Sequence, residues 1–207
     1  MIDVVDLTKS YGRVEALRGV SFSVRPGERV CLLGHNGAGK STLMKVLSGM
    51  LAPTTGAVRV GGVDVAADPD GARRRLGYVP EEPALYDYLT AREFLELVVS
   101  LRGAGTAEEG LDIADLGADA DRLIREYSQG MRRRTALAAA LVAAPPALVL
   151  DEALNGLDPP SSARIRAILH ARAEAGAAVL LSTHVLEIAQ SFATRVIVLE
   201  KGRLRDA

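Results

Sequence analysis

Length, composition and charge already exclude several classes of protein. The chain of 207 residues balances 25 lysines and arginines against 26 aspartates and glutamates, so its formal charge of -1 provides no global attraction for nucleic acid or anionic lipid. The N-terminus lacks a secretory signal and no apolar run reaches the ~18 residues of a membrane span, which predicts a cytoplasmic location. The single cysteine, Cys31, is expected to be a small buried core residue.

The N-terminal part of the chain is rich in β-strand patterns. The runs IDVVDL, VSFSV, RVCLLG and AVRV contain many β-branched and apolar residues, and Gly12, Gly27 and Gly56 separate them. One helix interrupts these runs, because apolar residues recur at helical spacing from Lys40 to Leu51. This part of the chain is therefore predicted to be largely β-structure.

The sequence becomes helical between residues 81 and 144. The segment TAREFLELVVSLRG begins at Thr90 with Glu93 three residues later, which predicts a capping box, and GAGTAEEG is interpreted as a turn. Afterwards the predicted strands ALVLDE, AAVLLST and VIVLE alternate with a helix from Pro159 to Ala175 and a short helix VLEIAQSF. We therefore predict one domain, 1–207, whose mostly parallel core (1–80 and 145–207) carries an inserted helical subdomain (81–144).

The segment GHNGAGKST, from Gly34 to Thr42, fits the phosphate-loop pattern G-x-x-x-x-G-K-[ST] between a predicted strand and a predicted helix. Glycines let the backbone curl around phosphate oxygens and point its N–H groups inward. Lys40 is expected to reach the β- and γ-phosphates, and Ser41 to offer its hydroxyl to Mg²⁺. The loop residues expected to bind the nucleotide are Gly34, Asn36, Gly37, Ala38 and Gly39.

Two adjacent carboxylates end the apolar strand ALVLDE. Ligands bind at the carboxyl edge of parallel strands, so Asp151 and Glu152 are expected near the phosphate loop. Asp151 is predicted to hold Mg²⁺ through water, and Glu152 to orient or deprotonate the attacking water. The alternative is a solvated strand end.

Several motifs occur together in an order that resembles one family. Seven motifs follow one another in the order found in ATP-binding cassette ATPases, the nucleotide-binding domains of ABC transporters. They are KSYGRVEAL, GHNGAGKST, GYVPEE, YSQGM, ALVLDE, NGLD and STH. The resemblance spans nearly the whole chain. It implies an α/β fold of the P-loop NTPase class, with a RecA-like core, an antiparallel β-rich N-terminal part and an inserted helical subdomain. It also implies ATP and Mg²⁺ as cofactors.

The stretch YSQGM resembles the signature motif of this family, which serves the nucleotide of a second subunit. The resemblance implies that two subunits, expected to form a homodimer or alternatively a dimer with a sister subunit, pack head to tail, with Ser128 and Gly130 capping the γ-phosphate bound by the partner. Asp158 in NGLD matches the loop that communicates across this dimer. Ser128 can also act as an ordinary helix N-cap, and the two roles are compatible.

Other positions take their expected roles from the family. Tyr11 matches the aromatic residue that stacks on adenine, although plain packing is an alternative. Thr42 is expected to touch the α-phosphate. His184 in STH matches the switch histidine at the γ-phosphate, with a structural histidine as the alternative.

The chain departs from the usual motifs at three places. Glu81 replaces a glutamine that contacts metal or water, and a carboxylate there can bind Mg²⁺ while adding negative charge near the phosphates. Gln129 and Met131 replace the usual Gly and Gln of the signature, and Ala153 replaces the frequent proline. The sequence GYVPE resembles exporter-type members.

The resemblance implies an ATPase subunit that drives separate transmembrane permease subunits, favours export, and lies peripherally at the cytoplasmic face of the cell membrane. No nucleic-acid partner is expected. Two alternatives stay open. One is a soluble ABC ATPase acting on ribosomes or DNA, and the other is a regulatory cassette with little turnover, which Glu81 and Gln129 motivate.

Overall fold

Residues 1–205, the part of the chain that the computed structural model describes, form two β-sheets and seven α-helices. Residues 206 and 207, which end the predicted core segment 145–207, lie outside the described residues. One sheet has four strands in the order β2-β1-β4-β5, and the other has six in the order β10-β9-β3-β8-β7-β6. This α/β arrangement is the one that the resemblance to a P-loop NTPase fold implies.

The four-stranded sheet is antiparallel and belongs to the N-terminal part of the chain. Its first two strands are longer than the predicted runs, because Tyr11 pairs with Val14 and extends the hairpin through polar residues. Polar strand residues give no apolar signal, so only the pairing of their backbones reveals them. The strands are β1 (Ile2–Tyr11), β2 (Val14–Val24), β4 (Thr55–Val60) and β5 (Val63–Asp64).

The six-stranded sheet is parallel except for its last strand, which confirms the predicted topology. Its strands are β3 (Arg29–Leu33), β6 (Leu76–Val79), β7 (Ala147–Asp151), β8 (Ala178–Thr183), β9 (Arg195–Glu200) and β10 (Arg203–Arg205). The short strands β6 and β10 were not predicted. Leu33 pairs with Thr183 and Asp151 with Ser182, so β3, β7 and β8 end at the same edge.

Four helices contact this core: two agree with the prediction to within about one residue, one ends earlier than predicted, and one was missed. They are α1 (Lys40–Leu47), α2 (Pro69–Arg74), α6 (Pro159–Glu174) and α7 (Leu186–Phe192), of which α2 is the missed one. The prediction that α1 extends to Leu51 is wrong. Gly49 takes a left-handed conformation with φ of 70°, and the N–H groups of Met50 and Leu51 both donate to the carbonyl of Lys45.

The chain between β6 and β7 is mainly helical. It contains α3 (Ala91–Arg102), α4 (Ala107–Ala114), α5 (Gln129–Leu141) and two short 3-10 turns, Gly117–Asp121 and Ile124–Glu126. The predicted capping box is confirmed, since the Thr90 side chain accepts from the N–H of Glu93 while the Glu93 carboxylate accepts from that of Thr90. Interpreting all of GAGTAEEG as a turn is wrong, because Thr106 caps α4. The subdomain bounds 81 and 144 stay a prediction.

Apolar residues cover both faces of the six-stranded sheet. One cluster joins Cys31 and Leu150 to the helical block through Phe94 and Leu137, and a second packs Leu43 of α1 against the four-stranded sheet. Cys31 is buried as predicted, and burial raises its pKa to about 12. Within residues 1–205, no helix has the length and apolar character to cross a membrane.

Candidate nucleotide-binding site

An open cleft of about 490 Å³ lies at the carboxyl end of β3. Of the predicted site residues it is lined by Asn36, Gly37, Gly39, Lys40, Ser41, Thr42, Glu81 and Glu152. The sheet explains this meeting: β3 leads into the phosphate loop, β6 precedes Glu81, and β7 precedes Glu152. The cleft therefore combines a phosphate-binding loop with carboxylates from two further strands.

Two glycines of the phosphate loop are required by the fold itself. Gly39 begins α1 in a left-handed conformation with φ of 109°, and a Cβ there would lie 2.6 Å from the carbonyl oxygen of Ala16. A Cβ on Gly34 would lie 2.6 Å from the carbonyl oxygen of Leu199. Gly34 and Ala38 are buried and do not line the cleft, so they support the loop from behind.

Lys40 lies at the first position of α1 with its ammonium group inside the cleft. Only 5% of the residue is exposed, and Nζ donates to the carbonyl oxygen of Gly34 at 2.6 Å. The same nitrogen lies 3.3 Å from Oε1 of Glu152. Both side chains are nearly buried, so the ion pair is poorly screened by solvent. Lys40 thus carries a positive charge held at the floor of the phosphate loop.

The Glu152 carboxylate is the point where the predicted catalytic residues meet. Oε1 lies 3.2 Å from Nδ1 of His184, in addition to its contact with Lys40. Oε2 accepts from Nδ2 of Asn155 at 2.8 Å. Lys40 and His184, the other two residues predicted to be catalytic, therefore both contact the Glu152 carboxylate. The sequence alone does not define this geometry.

The backbone of Glu152 is also constrained. Its φ of 48° is left-handed, a conformation that costs a residue with a side chain about 1–2 kcal/mol. Its N–H donates to Oγ of Ser182 at 3.0 Å, and its carbonyl oxygen accepts from Nη1 of Arg133 at 2.7 Å. Hydrogen bonds on both sides of the residue offset this cost and fix the direction of the carboxylate.

Asp151 is more deeply buried than its neighbour. It is 1% exposed, and its Oδ1 accepts from Oγ of Ser182 at 2.5 Å. Burial, followed by the negative charge of Asp151, raises the pKa of Tyr78 to about 12. Asp151 does not line the cleft directly, and its role toward Mg²⁺ stays a prediction.

Glu81 lines the cleft from the segment after β6. Its side chain is exposed, while its carbonyl oxygen accepts from Nη2 of Arg133 at 2.7 Å. Burial lowers the pKa of Arg133, and the charges of Glu81 and Glu152 act in the opposite direction. Glu81 therefore contributes its carboxylate to the cleft from a segment anchored through its backbone.

The remaining predicted residues do not line this cleft. Ser128 and Asp158 are the N-caps of α5 and α6, accepting from the N–H groups of Met131 and Ser161 respectively. The hydrogen bonds from Ser161 lower the pKa of Asp158. Gly130 follows Ser128 in the first turn of α5. The N-cap interpretation of Ser128 is confirmed, while its predicted role toward a second subunit stays a prediction.

Tyr11 lies at the end of β1 and is 49% exposed, with Nζ of Lys9 5.3 Å from its ring centroid. It is absent from the lining of the cleft, although Val14 of the same hairpin does line it. The ring is therefore available for stacking on a ligand, and the role toward adenine stays a prediction.

Sequence reasoning missed three residues that hold Glu152 in place: Asn155, Ser182 and Arg133. Asn155 had a usable signal, since a polar amide three residues after a carboxylate in a turn can reach back to it. Ser182 was hidden in a strand, and its register opposite Asp151 exists only in the sheet. Arg133 stood among three arginines with nothing in the sequence to distinguish it.

Comparisons with known proteins give the family. The ABC transporter family model matches residues 17–155. The daunorubicin/doxorubicin resistance ATP-binding protein DrrA of Streptomyces peucetius is 38% identical over 98% of this chain and 63% of its own length. The Nod factor export ATP-binding protein I of Rhizobium meliloti is 40% identical over 97% of this chain and 62% of its own. The chain thus spans less than two thirds of the length of these relatives.

A solved structure gives the same answer. A dimeric ATP-binding cassette in a post-hydrolysis state, bound to ADP and phosphate, superimposes with a TM-score of 0.89 at 28% identity, over 100% of this chain and 97% of that one. The match covers both sheets and the helical block. On the family model, the relatives and this superposition, the chain belongs to the ABC transporter family of ATP-binding proteins.

Proposed function

We propose that this chain is the ATP-hydrolysing subunit of an ABC transporter, which binds MgATP in the cleft described above and dimerises around two nucleotides. The observation that carries the proposal is the meeting of Lys40, His184 and Asn155 on the Glu152 carboxylate, beside the phosphate loop. This arrangement contains a cation for the phosphates and a carboxylate for water in one place. A merely structural Gly-rich turn does not require both.

The phosphate loop binds the nucleotide triphosphate in this proposal. Gly37, Gly39 and the first turn of α1 line the cleft, so their N–H groups can serve as donors, and the helix N-terminus adds positive potential. Lys40 exchanges its contact with Glu152 for the β- and γ-phosphate oxygens. Thr42 reaches the α-phosphate, and Tyr11 stacks on the adenine. Binding of ATP therefore frees the Glu152 carboxylate on its Oε1 side.

Glu152 then acts on the attacking water. With Oε1 released by Lys40, the carboxylate accepts a hydrogen bond from water and orients it toward the γ-phosphorus, or takes its proton. His184, 50% exposed at the end of β8, contacts the developing charge on the γ-phosphate from the side. Asn155 keeps Oε2 engaged, so the carboxylate cannot rotate freely.

The oxygen donors of the cleft fit Mg²⁺. Ser41 offers a hydroxyl and Glu81 a carboxylate in the lining, and the buried carboxylate of Asp151 lies behind them. Within the described residues there is no group of three or more His, Cys, Asp or Glu side chains that could hold a metal by itself. This agrees with an ion that keeps several waters and binds together with phosphate oxygens. Bound there, Mg²⁺ would neutralise charge on the β- and γ-phosphates.

A second subunit completes the site. Ser128 and Gly130 begin α5 but stay out of the cleft of their own chain, so their N–H groups are available to a nucleotide bound elsewhere. A head-to-tail homodimer brings them to the γ-phosphate of the partner subunit, with the Asp158 loop between the two sites. The similar cassette bound to ADP and phosphate is a dimer, which supports this assembly.

Membrane partners follow from the relatives. Proteins whose names specify drug resistance and Nod factor export align with nearly the whole chain, so we infer separate transmembrane permease subunits and transport outward. The chain would then lie at the cytoplasmic face of the membrane, held there by the permease. In this proposal, the Glu81 segment and the helical block form the surface that contacts the permease.

The test is the solution mass of Glu152→Gln with and without MgATP, measured by light scattering. The substitution keeps the side-chain volume and should allow binding while preventing hydrolysis, so ATP should convert monomer to dimer. Ser128→Arg in the same background should block this conversion, whereas Ser100→Arg, an exposed serine on α3, should not. ATP-bound monomers in all three proteins would refute the dimer and favour a regulatory cassette.

A further inference from the structure

Arg133 connects three segments of the site through one guanidinium group. It lies on α5, one turn after the Ser128 cap, and is half-buried. Nη1 donates to the carbonyl oxygen of Glu152 and Nη2 to that of Glu81, each at 2.7 Å. The planar fork of an arginine offers two donors in a fixed geometry, so both bonds form at once. The guanidinium group thus joins α5 to two other segments. One is the turn after β7 that begins at Glu152 (the Glu152 turn), and the other is the segment after β6 that contains Glu81 (the Glu81 segment).

The neighbouring arginines do not share this property. Nη1 of Arg132 donates to Oδ1 of Asp87 at 2.7 Å and to the carbonyl of Ile124 at 3.1 Å, and Arg134 donates to the carbonyl of Asp115. All of these partners belong to the chain between β6 and β7, so both arginines tie the helical block to itself. Arg133 alone among the three reaches the turn that follows β7.

The hydrogen bond from Arg133 stabilises Glu152, whose backbone conformation is left-handed. The carbonyl oxygen of Glu152 also accepts from the N–H of Asn155, and this turn places the Asn155 amide group on the Glu152 carboxylate. The left-handed backbone of Glu152 allows the carboxylate to face Lys40, and rotation of either adjoining peptide would move it away. Arg133 holds the peptide on the carboxyl side, while Ser182 holds the N–H.

We propose that Arg133 is a positioning residue that fixes the Glu152 turn and the Glu81 segment relative to each other and to α5. Movement of the Glu81 segment is thereby passed to the carboxylate that acts on water, without any contact between Arg133 and the nucleotide. This inference deepens the proposed ATPase function and rests on it. It predicts that a substitution of Arg133 lowers the rate of ATP hydrolysis and leaves the affinity for the nucleotide unchanged.

The experiment compares Arg133→Lys with wild type and with the matched control Arg132→Lys, all as the full chain. Lysine keeps the charge and the helix propensity, but its single ammonium group cannot span two carbonyl oxygens as a fork. For Arg133→Lys we expect kcat for MgATP to fall at least about tenfold, the equivalent of one lost hydrogen bond to a charged donor. KM should stay within about twofold of wild type, and the control should match wild type in both parameters.

A second readout does not depend on turnover. Amide hydrogen exchange of the free proteins should be about tenfold faster in peptides covering 79–83 and 151–157 of Arg133→Lys, because one lost charged hydrogen bond is worth that factor in local opening. Peptides covering the phosphate loop, 34–44, should be unchanged. The control should leave 151–157 as in wild type.

The outcomes are distinct. Wild-type exchange in both segments of Arg133→Lys would overturn the proposal, as would faster exchange with unchanged kcat in an active enzyme. Equal losses in kcat, affinity and thermal stability would also overturn it, since they indicate general disruption. If wild type itself hydrolyses no ATP, the proposed function fails, and the exchange data still decide whether Arg133 joins the two segments.

Discussion

Replacing Lys40 by methionine tests the floor of the phosphate loop. Methionine is one atom shorter than lysine, keeps the unbranched apolar stem and removes the charge, so the fold of α1 should survive. A hydrogen bond to a charged group contributes about 1.5–3 kcal/mol, which predicts a loss of ATP affinity of about 10- to 150-fold. In the free protein Nζ already donates to Gly34 and contacts Glu152, so binding exchanges partners and the lower end of this range is expected.

The assay is an equilibrium titration with a fluorescent ATP analogue at constant Mg²⁺. Lys45→Met is the matched control, because Lys45 lies on the same helix with its side chain exposed, and it should bind as wild type does. Thermal unfolding of each protein checks that the binding-deficient variant is folded. Wild-type affinity in folded Lys40→Met would refute the assignment of the phosphate loop and of the cleft.

Three further predictions concern residues around the cleft and the sheet. Glu152→Gln should bind ATP normally while phosphate release falls at least about 100-fold, and a near-normal rate would remove Glu152 from catalysis. Asn155→Ala should lower kcat by about 3- to 10-fold with unchanged KM in steady-state assays, because it frees one carboxylate oxygen; a change in KM alone would contradict this. Burial raises the pKa of Glu28, but hydrogen bonds from Arg195 and from the N–H of Arg25, with the charges of both arginines, together lower it below its ordinary value of 4.5. The stability this provides is present above pH 4.5 and lost as pH falls through the folded pKa, so Glu28→Gln should flatten the acid side of a denaturation curve.

Much of the site was accessible from sequence because its motifs are local. The phosphate loop combines spacing, a preceding apolar strand and a following helix within about a dozen residues, and each of these features can be read along the chain. Asp151 and Glu152 could be placed beside it because the carboxyl ends of parallel strands share one edge. Thr90 and Glu93 form a capping box whose spacing is equally local.

The errors and omissions arise where tertiary contacts decide. The end of α1 depends on Gly49 and on a shared carbonyl of Lys45, which outweigh the apolar periodicity that continues to Leu51. The strand β10 exists because Arg203, Leu204 and Arg205 pair with β9, although their sequence is no more β-like than a loop. Arg133 and Ser182 act through backbone atoms of Glu152, and no sequence pattern records which backbone group a side chain will reach.

The left-handed backbone of Glu152 has a consequence for variation under selection. Asparagine and glycine adopt this conformation more readily than glutamate does, so either one at position 152 should relieve about 1–2 kcal/mol of backbone strain. The same substitution removes the carboxylate and leaves the nearly buried ammonium group of Lys40 without its partner, which costs more than the strain that is relieved. Selection for stability alone should therefore keep a carboxylate at residue 152 as long as Lys40 is present, although its backbone conformation favours other residues.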